Sequence, residues 1–284
     1  MQRGSRMSNA TAVIVQRPRD GAVFVALLRL YLAKAGVQIP LIVSVQVLLA
    51  VGMIVGFGFL IPDIATDEAT FLTTGVPTTL LLMVGLVFVP QEIVKRRTDG
   101  TMTYLRSLPV PRWMLLMGDL LVWLVVALPG VAIAIAVGSL YFDLSLSISW
   151  GLLIGVSFVI ALMATAVGYA MAVSLPASQV VLAAQVLVFV ILLFSPIAFP
   201  ADRLPGWFQS VHDWLPFRPA ADLMRASLTE GSDFQVDQLL VLAVWAVVGL
   251  ALSLAALARK KKLLTPATSC EGISVSRAPN SLRR

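Results

Sequence analysis

The sequence contains one cysteine, Cys270, and one histidine, His212. A single thiol excludes an internal disulfide framework and any multi-cysteine metal site. A single imidazole leaves no histidine cluster to hold a metal. Charge is scarce as well: Asp, Glu, Lys and Arg make up 13% of the 284 residues, against about 25% in soluble domains. Hydrophobic residues reach 58%, and the mean hydropathy is +0.91. A soluble fold of this size cannot hide that much apolar surface. Disorder is excluded except at the ends. No G-x-x-x-x-G-K-[ST] loop is present to cradle nucleotide phosphates. No Ser/His/Asp constellation forms either, because His212 lies among Trp207, Phe208, Trp214 and Leu215 and reads as a structural residue. The net charge of +6 reports topology in such a chain rather than nucleic acid, so position matters more than the sum. These absences leave an all-α polytopic membrane protein.

A spanning helix needs roughly 20 apolar residues to cross about 30 Å of hydrocarbon. Leu41–Ile61, Phe71–Pro90 and Leu120–Phe142 are uncharged, the last extended at its start by Trp113–Gly118. Leu144–Ala201 is uncharged for 58 residues, too long for one span. Ser174-Leu175-Pro176-Ala177-Ser178 breaks it, since proline and small polar residues end helices. This gives spans at Trp150–Val173 and Val180–Phe199, followed by Leu239–Ala258, six in all. Lys and Arg then set the orientation. Six precede the first span (Arg3, Arg6, Arg17, Arg19, Arg29, Lys34), five lie between spans two and three (Lys95, Arg96, Arg97, Arg106, Arg112), and seven follow the last. The alternate connections hold only Arg203, Arg218 and Arg225. Both termini are expected to be cytoplasmic, in the plasma (inner) membrane.

The polar, basic start has no apolar h-region and is not expected to be a cleaved signal peptide. The expected organisation is a disordered segment 1–19, a six-helix membrane domain 20–262 and a disordered tail 263–284. Asp20 can cap a helix running to about Ala35. It is too short and too charged to span and is expected to lie along the cytoplasmic face. The alternative is packing on a partner. No internal repeat is visible, so an inverted-repeat secondary transporter is not indicated. The only charge within a span is Asp119, seven residues after Arg112. That is about 10 Å along a helix, near the interface, and the expectation is a hydrated aspartate. The lack of ionisable groups at mid-depth places the energy source outside this chain.

Two connecting segments stand out. In Gln91–Arg112, Glu92 directly follows the second span and Lys95-Arg96-Arg97 form a basic cluster. Thr98-Asp99-Gly100-Thr101 is a helix-start signal, and Met102, Leu105 and Leu108 share one face before Pro109 and Pro111 end the helix. A docking helix that takes force from a cytoplasmic partner is one reading, and a simple topology-setting loop is the other. In Ser195–Glu230, Trp207, Phe208, Val211, Trp214 and Leu215 form one apolar stripe, and Ala220, Leu223, Met224 and Leu228 a second, with Asp222 and Arg225 opposite. These suit two short external helices dipping back into the bilayer as a lid, or tryptophans anchoring at the interface. Gly52/Gly56 and Gly151/Gly155 allow close helix contact, within a subunit or across a dimer.

Taken together, the two segments resemble the ABC transporter type-2 permeases, the membrane half of small exporters such as the daunorubicin-resistance type. The resemblance runs over about residues 20–260. It rests on Glu92, Gly100-Thr101 and Leu108-Pro109-Val110 on one side, and on Pro196, Leu204-Pro205-Gly206-Trp207, Leu215-Pro216, Asp222 and Arg225 on the other. It implies a type V ABC exporter-like fold: an N-terminal interfacial helix, six transmembrane helices, a cytoplasmic coupling helix and external re-entrant helices. It implies two permease subunits, as a homo- or heterodimer, with two copies of a separate ATPase that carries the ATP and magnesium. This chain itself would bind no cofactor. Met102, Leu105 and Leu108 would fill a groove on the ATPase, with Glu92, Arg97, Asp99, Gly100 and Thr101 around it. Pro196, Pro205, Trp207, Trp214, Pro216, Asp222 and Arg225 would form an external gate. The implied substrate is a drug, natural product or lipid, and the permease would confer drug resistance. The alternatives are export of a polysaccharide or teichoic-acid chain, and a membrane scaffold that transports nothing.

Overall fold

The computed structural model describes residues 20–61, 64–107, 110–197, 205–229 and 234–262. All regular structure among them is helical. The expectations for 1–19, for 263–284 with Cys270, and for Leu108, Pro109, Arg203 and Leu204 fall outside the described residues. In chain order the helices are α1 (Asp20–Gly36), α2 (Ile39–Leu60), α3 (Thr66–Thr98), α4 (Thr101–Ser107), α5 (Arg112–Phe142), α6 (Trp150–Ser174), α7 (Ala177–Phe194), α8 (Gly206–Trp214), α9 (Phe217–Leu228) and α10 (Val236–Lys262). Six of them, α2, α3, α5, α6, α7 and α10, are long and apolar enough to cross a membrane. With an even number of crossings, the chain enters and leaves the bundle on one face. That is the face carrying most of the Lys and Arg, called the basic end below.

Two spans differ from the sequence boundaries, and proline explains both. Proline lacks the N–H for the helical ladder, and its ring crowds the carbonyl four residues back. Pro90 does not end the second span. The backbone widens into a π turn at Val84–Phe88, which holds that crowded carbonyl, and the helix continues to Thr98. Pro196 follows a second π turn, Val190–Phe194, and there the helix does end, before the turn at Ser195–Ile197. The fifth span therefore stops short of Phe199.

Helix α3 lies at the centre, with almost all of its apolar stretch buried inside the protein. It is wrapped by α2, α5, α6, α7 and α9, while α10 packs along the far side of α6. The packing depends on glycines that let backbones touch. A Cβ at Gly168 of α6 would overlap the Gly85 carbonyl in the π turn of α3, and one at Gly85 would overlap the backbone of Ala164 and Thr165. Across α6, Gly249 of α10 sits against the backbone of Ala166 and Val167. By contrast, a Cβ at Gly52, Gly56, Gly151 or Gly155 would meet nothing within 4 Å. The two glycine pairs picked out by spacing therefore make no close contact within the subunit.

Helix α1 buries Leu27, Tyr31 and Ala35, while Val25, Leu30 and Leu32 stay exposed. It rests on the start of α5, where Gly118 admits the Tyr31 ring. An apolar helix with one face on the bundle and one outside suits the border of a bilayer.

Gly168→Leu is expected to destabilise the fold by roughly 1–3 kcal/mol, because backbone rather than a yielding side chain opposes it. Gly151→Leu, facing open space, should stay within about 0.5 kcal/mol. Thermal unfolding of the detergent-solubilised protein measures both. Equal losses at the two positions would contradict this crossing.

Candidate functional site

Three consecutive helical residues point about 100° apart, so the cluster Lys95-Arg96-Arg97 cannot act as one patch. Lys95 is exposed. Arg97 reaches the end of α6, where its guanidinium donates to the carbonyls of Ala172 and, at 2.9 Å, of Leu175. A cation there meets the carbonyls a helix end leaves unpaired. Arg96 turns inward and is buried. Its Nη1 donates to Asp119 Oδ1 at 2.8 Å, its Nε to Glu92 Oε1 at 3.2 Å, and its guanidinium lies 5.6 Å from the centre of the Tyr31 ring. Gln38, in the link between α1 and α2, donates to Glu92 Oε2 at 3.0 Å. One guanidinium thus joins α1, α3 and α5, and Glu92 extends the cluster to the α1–α2 link.

This corrects the expectation of a hydrated aspartate at position 119. Asp119 is only 4% exposed. The connection through α4 folds α5 back along α3, so residues 96 and 119 face each other despite 22 residues between them. Burial, with the negative charge of Asp119, raises the Tyr31 phenol above its ordinary value.

Helix α4 begins where α3 stops. Gly100 has φ +78, a left-handed conformation that terminates α3. Its carbonyl then accepts the N–H groups of Thr103 and Tyr104 at 2.9 and 3.1 Å. The apolar face of α4 points inward. Leu105 is 4% exposed and belongs to the main core, and Met102 is half-buried against that core. The expectation that Leu105 would fill a groove on another protein is therefore overturned, since the chain covers it itself. The outward face carries Tyr104, 62% exposed, with Thr103 and Ser107. Asp99 and Gly100 are exposed and Thr101 is half-buried. Glu92 and Arg97, expected at a partner contact, are held by internal bonds.

At the other end, Arg225 of α9 plays a matching part. Its guanidinium lies 3.6 Å from the centre of the Phe71 ring in α3 and donates to Asp222 Oδ1 at 2.8 Å and to the Ile197 carbonyl. The Ile197 carbonyl is the atom a Cβ at Gly75 would overlap, so the turn after α7 is wedged onto α3. Arg218 bridges Asp213 and Asp222, and Gln238 of α10 reaches Asp222 at 3.5 Å. Burial raises the Asp222 carboxyl above the usual carboxylate range, with Arg225 and Arg218 opposing. Pro196 and Pro216 are buried, and Pro205 is exposed.

The second stripe, Ala220, Leu223, Met224 and Leu228, is fully buried. The first is not buried against α7 and α10 as a lid would require. Trp207 is 71% and Trp214 81% exposed, and Val211 is exposed too. Phe208 and His212 face inward instead. Phe208 meets Phe194 edge-on, and His212 bonds the Phe208 carbonyl through Nδ1 at 3.0 Å. Trp245 of α10 donates to the Trp214 carbonyl at 2.9 Å. Exposed tryptophans at the end of a membrane bundle fit the interfacial belt.

Sequence reasoning missed Arg96 with Asp119, Gln38 and Tyr31, and it missed Tyr104. The available signal was that the single intramembrane charge lies one connection away from a run of three cations.

Over residues 65–255 the sequence matches the family described as ABC-2 family transporter protein. The chain belongs to that family and is a multi-pass membrane permease of an ABC transporter. No protein of curated function matches it.

Arg96→Leu would leave Asp119 buried without its cation, and a broken buried pair costs about 3–5 kcal/mol. Arg96→Lys should recover only part of this, since an ammonium lacks the fork that serves two carboxylates and an aromatic face. Thermal unfolding of the purified permease ranks the three proteins, and a Lys variant as stable as the wild type would contradict the forked arrangement.

Proposed function

We propose that the chain is the permease of an ATP-driven exporter that moves a hydrophobic or amphipathic substrate out of the cytoplasm. The basic end is cytoplasmic, by the excess of Lys and Arg there. A separate ATPase binds ATP and magnesium and docks on α4, and two permease copies assemble with two ATPase copies. The observation that carries this reading is the build of α4. Its outer face presents an exposed tyrosine, and its inner face is anchored by Leu105 in the main core, to which Tyr31 of α1, Ile93 of α3 and Met114 of α5 also belong. A push on Tyr104 is then delivered to α1, α3 and α5 together rather than absorbed by a loose loop. The apolar spans, with no ionisable group at mid-depth, favour a hydrophobic substrate over an ion.

Tyr104→Asp is expected to weaken ATPase capture at least tenfold while leaving the permease folded, since an exposed tyrosine at a contact is a typical hot spot. Leu105→Asp should instead lower the unfolding temperature, because it places a charge in the core. Pull-down of the partner ATPase and thermal unfolding separate the two, and normal capture with Tyr104→Asp would remove α4 from the contact.

Orientation has its own test. A cysteine at exposed Lys95 should react in whole cells only with membrane-permeant thiol reagents, and one at exposed Asp67 or Ser210 with impermeant ones. Labelling of position 95 from outside would reverse the topology.

A further inference from the structure

Away from both arginine clusters, a groove of about 420 Å³ lies between the second half of α5 and the first turns of α6. This is within the size range of small-molecule sites. Leu128, Ile135, Ile148 and Leu153 form its walls, and Trp150, exposed, stands at its rim. No charged side chain is among the residues that line it. Ser157 brings the one hydroxyl. It is 2% exposed, and its Oγ has no hydrogen-bond partner. A serine in a helix ordinarily bonds the carbonyl four residues back, and hydrocarbon offers nothing in exchange. Ser157 lies seven residues into α6 from Trp150, about 10 Å along the helix. Trp150 is of the type that sits at a membrane interface, so the unpaired hydroxyl lies well inside the hydrocarbon.

We propose that this groove binds a neutral, long-chain molecule dissolved in the bilayer and carrying one hydroxyl or carbonyl. Its polar atom pairs with Ser157 and its chain lies along α5. A hydroxyl both donates and accepts, so either partner satisfies it. A phospholipid fits poorly, because its charged headgroup would have to follow to a depth where no residue of the groove can pair it. A plain alkyl chain would leave Ser157 unpaired. The site does not depend on the direction of transport or on an ATPase.

The test uses the purified permease in phosphatidylcholine nanodiscs with a hexadecanol bearing a mid-chain diazirine, and the matching hexadecane. Labelled residues are mapped by mass spectrometry. The alcohol is expected to label 128–157 saturably and to be displaced by plain hexadecanol. Ser157→Ala should weaken it about three- to tenfold, the value of one hydrogen bond. Ala132→Trp, at an exposed position on the wall, should abolish it with an unchanged unfolding temperature. The hexadecane should not saturate. No labelling, labelling that does not saturate, or equal affinity in Ser157→Ala would overturn the proposal and leave the groove as ordinary lipid contact.

Discussion

The bundle depends on enclosing α3 at backbone distance. In a bilayer the lipid is as apolar as the helices, so apolar burial gives little drive for one helix to leave lipid for another. What remains is close packing and buried polar contact, and α3 concentrates both. Gly85 lets the π turn touch α6 at Gly168, and Gly75 receives the Ile197 carbonyl. Both arginine clusters also bear on this helix: Arg96 belongs to it, and Arg225 sits on its Phe71 ring. Remove the small residues and the carbonyls no longer fit. Remove the guanidiniums and the ends of α3 lose their ties to the other helices.

The two clusters differ in accessibility. Arg96 is buried with the Tyr31 ring of α1 beside it, so its ion pairs keep the strength that low dielectric gives them. Arg218 and Asp222 at the opposite end are about a third exposed, and water screens such pairs. The Arg218–Asp222 pair is therefore the more weakly coupled of the two, while Arg225 beside it is nearly as buried as Arg96.

The sequence carried the six spans because uncharged runs of spanning length have few alternatives. Their internal arrangement was far less legible, for a reason peculiar to membranes. An apolar stripe on a soluble helix points to the core, but here lipid accepts it equally well. Trp207, Val211 and Trp214 form such a stripe and face outward. Leu105 failed in the opposite sense. Its spacing with Met102 gave an apolar face, but seven residues of helix do not say whether the chain or another protein covers that face. The glycine pairs with the familiar spacing are open, while Gly85 and Gly168 match no pattern because the contact joins residues far apart in the chain. Asp119 was placed by depth alone. Its partner could be found only once the fold of Gln91–Arg112 brought α5 back along α3.

The stretch Thr73-Thr74-Gly75-Val76-Pro77-Thr78-Thr79 lies on α3, and every residue in it is buried. It is well suited to a protein surround and poorly suited to hydrocarbon. During synthesis, however, α3 emerges when, among the described helices, α1 and α2 precede it, and four of the five that wrap it, α5, α6, α7 and α9, come later in the chain. The hydroxyls and the proline-freed carbonyl of this stretch must spend that interval facing lipid or α2. Assembly is thus a closing of late helices around an early one. A ribosome that stalls before α6 is complete leaves the least lipid-compatible span uncovered, where polar groups in the bilayer pair with whatever helix is nearest.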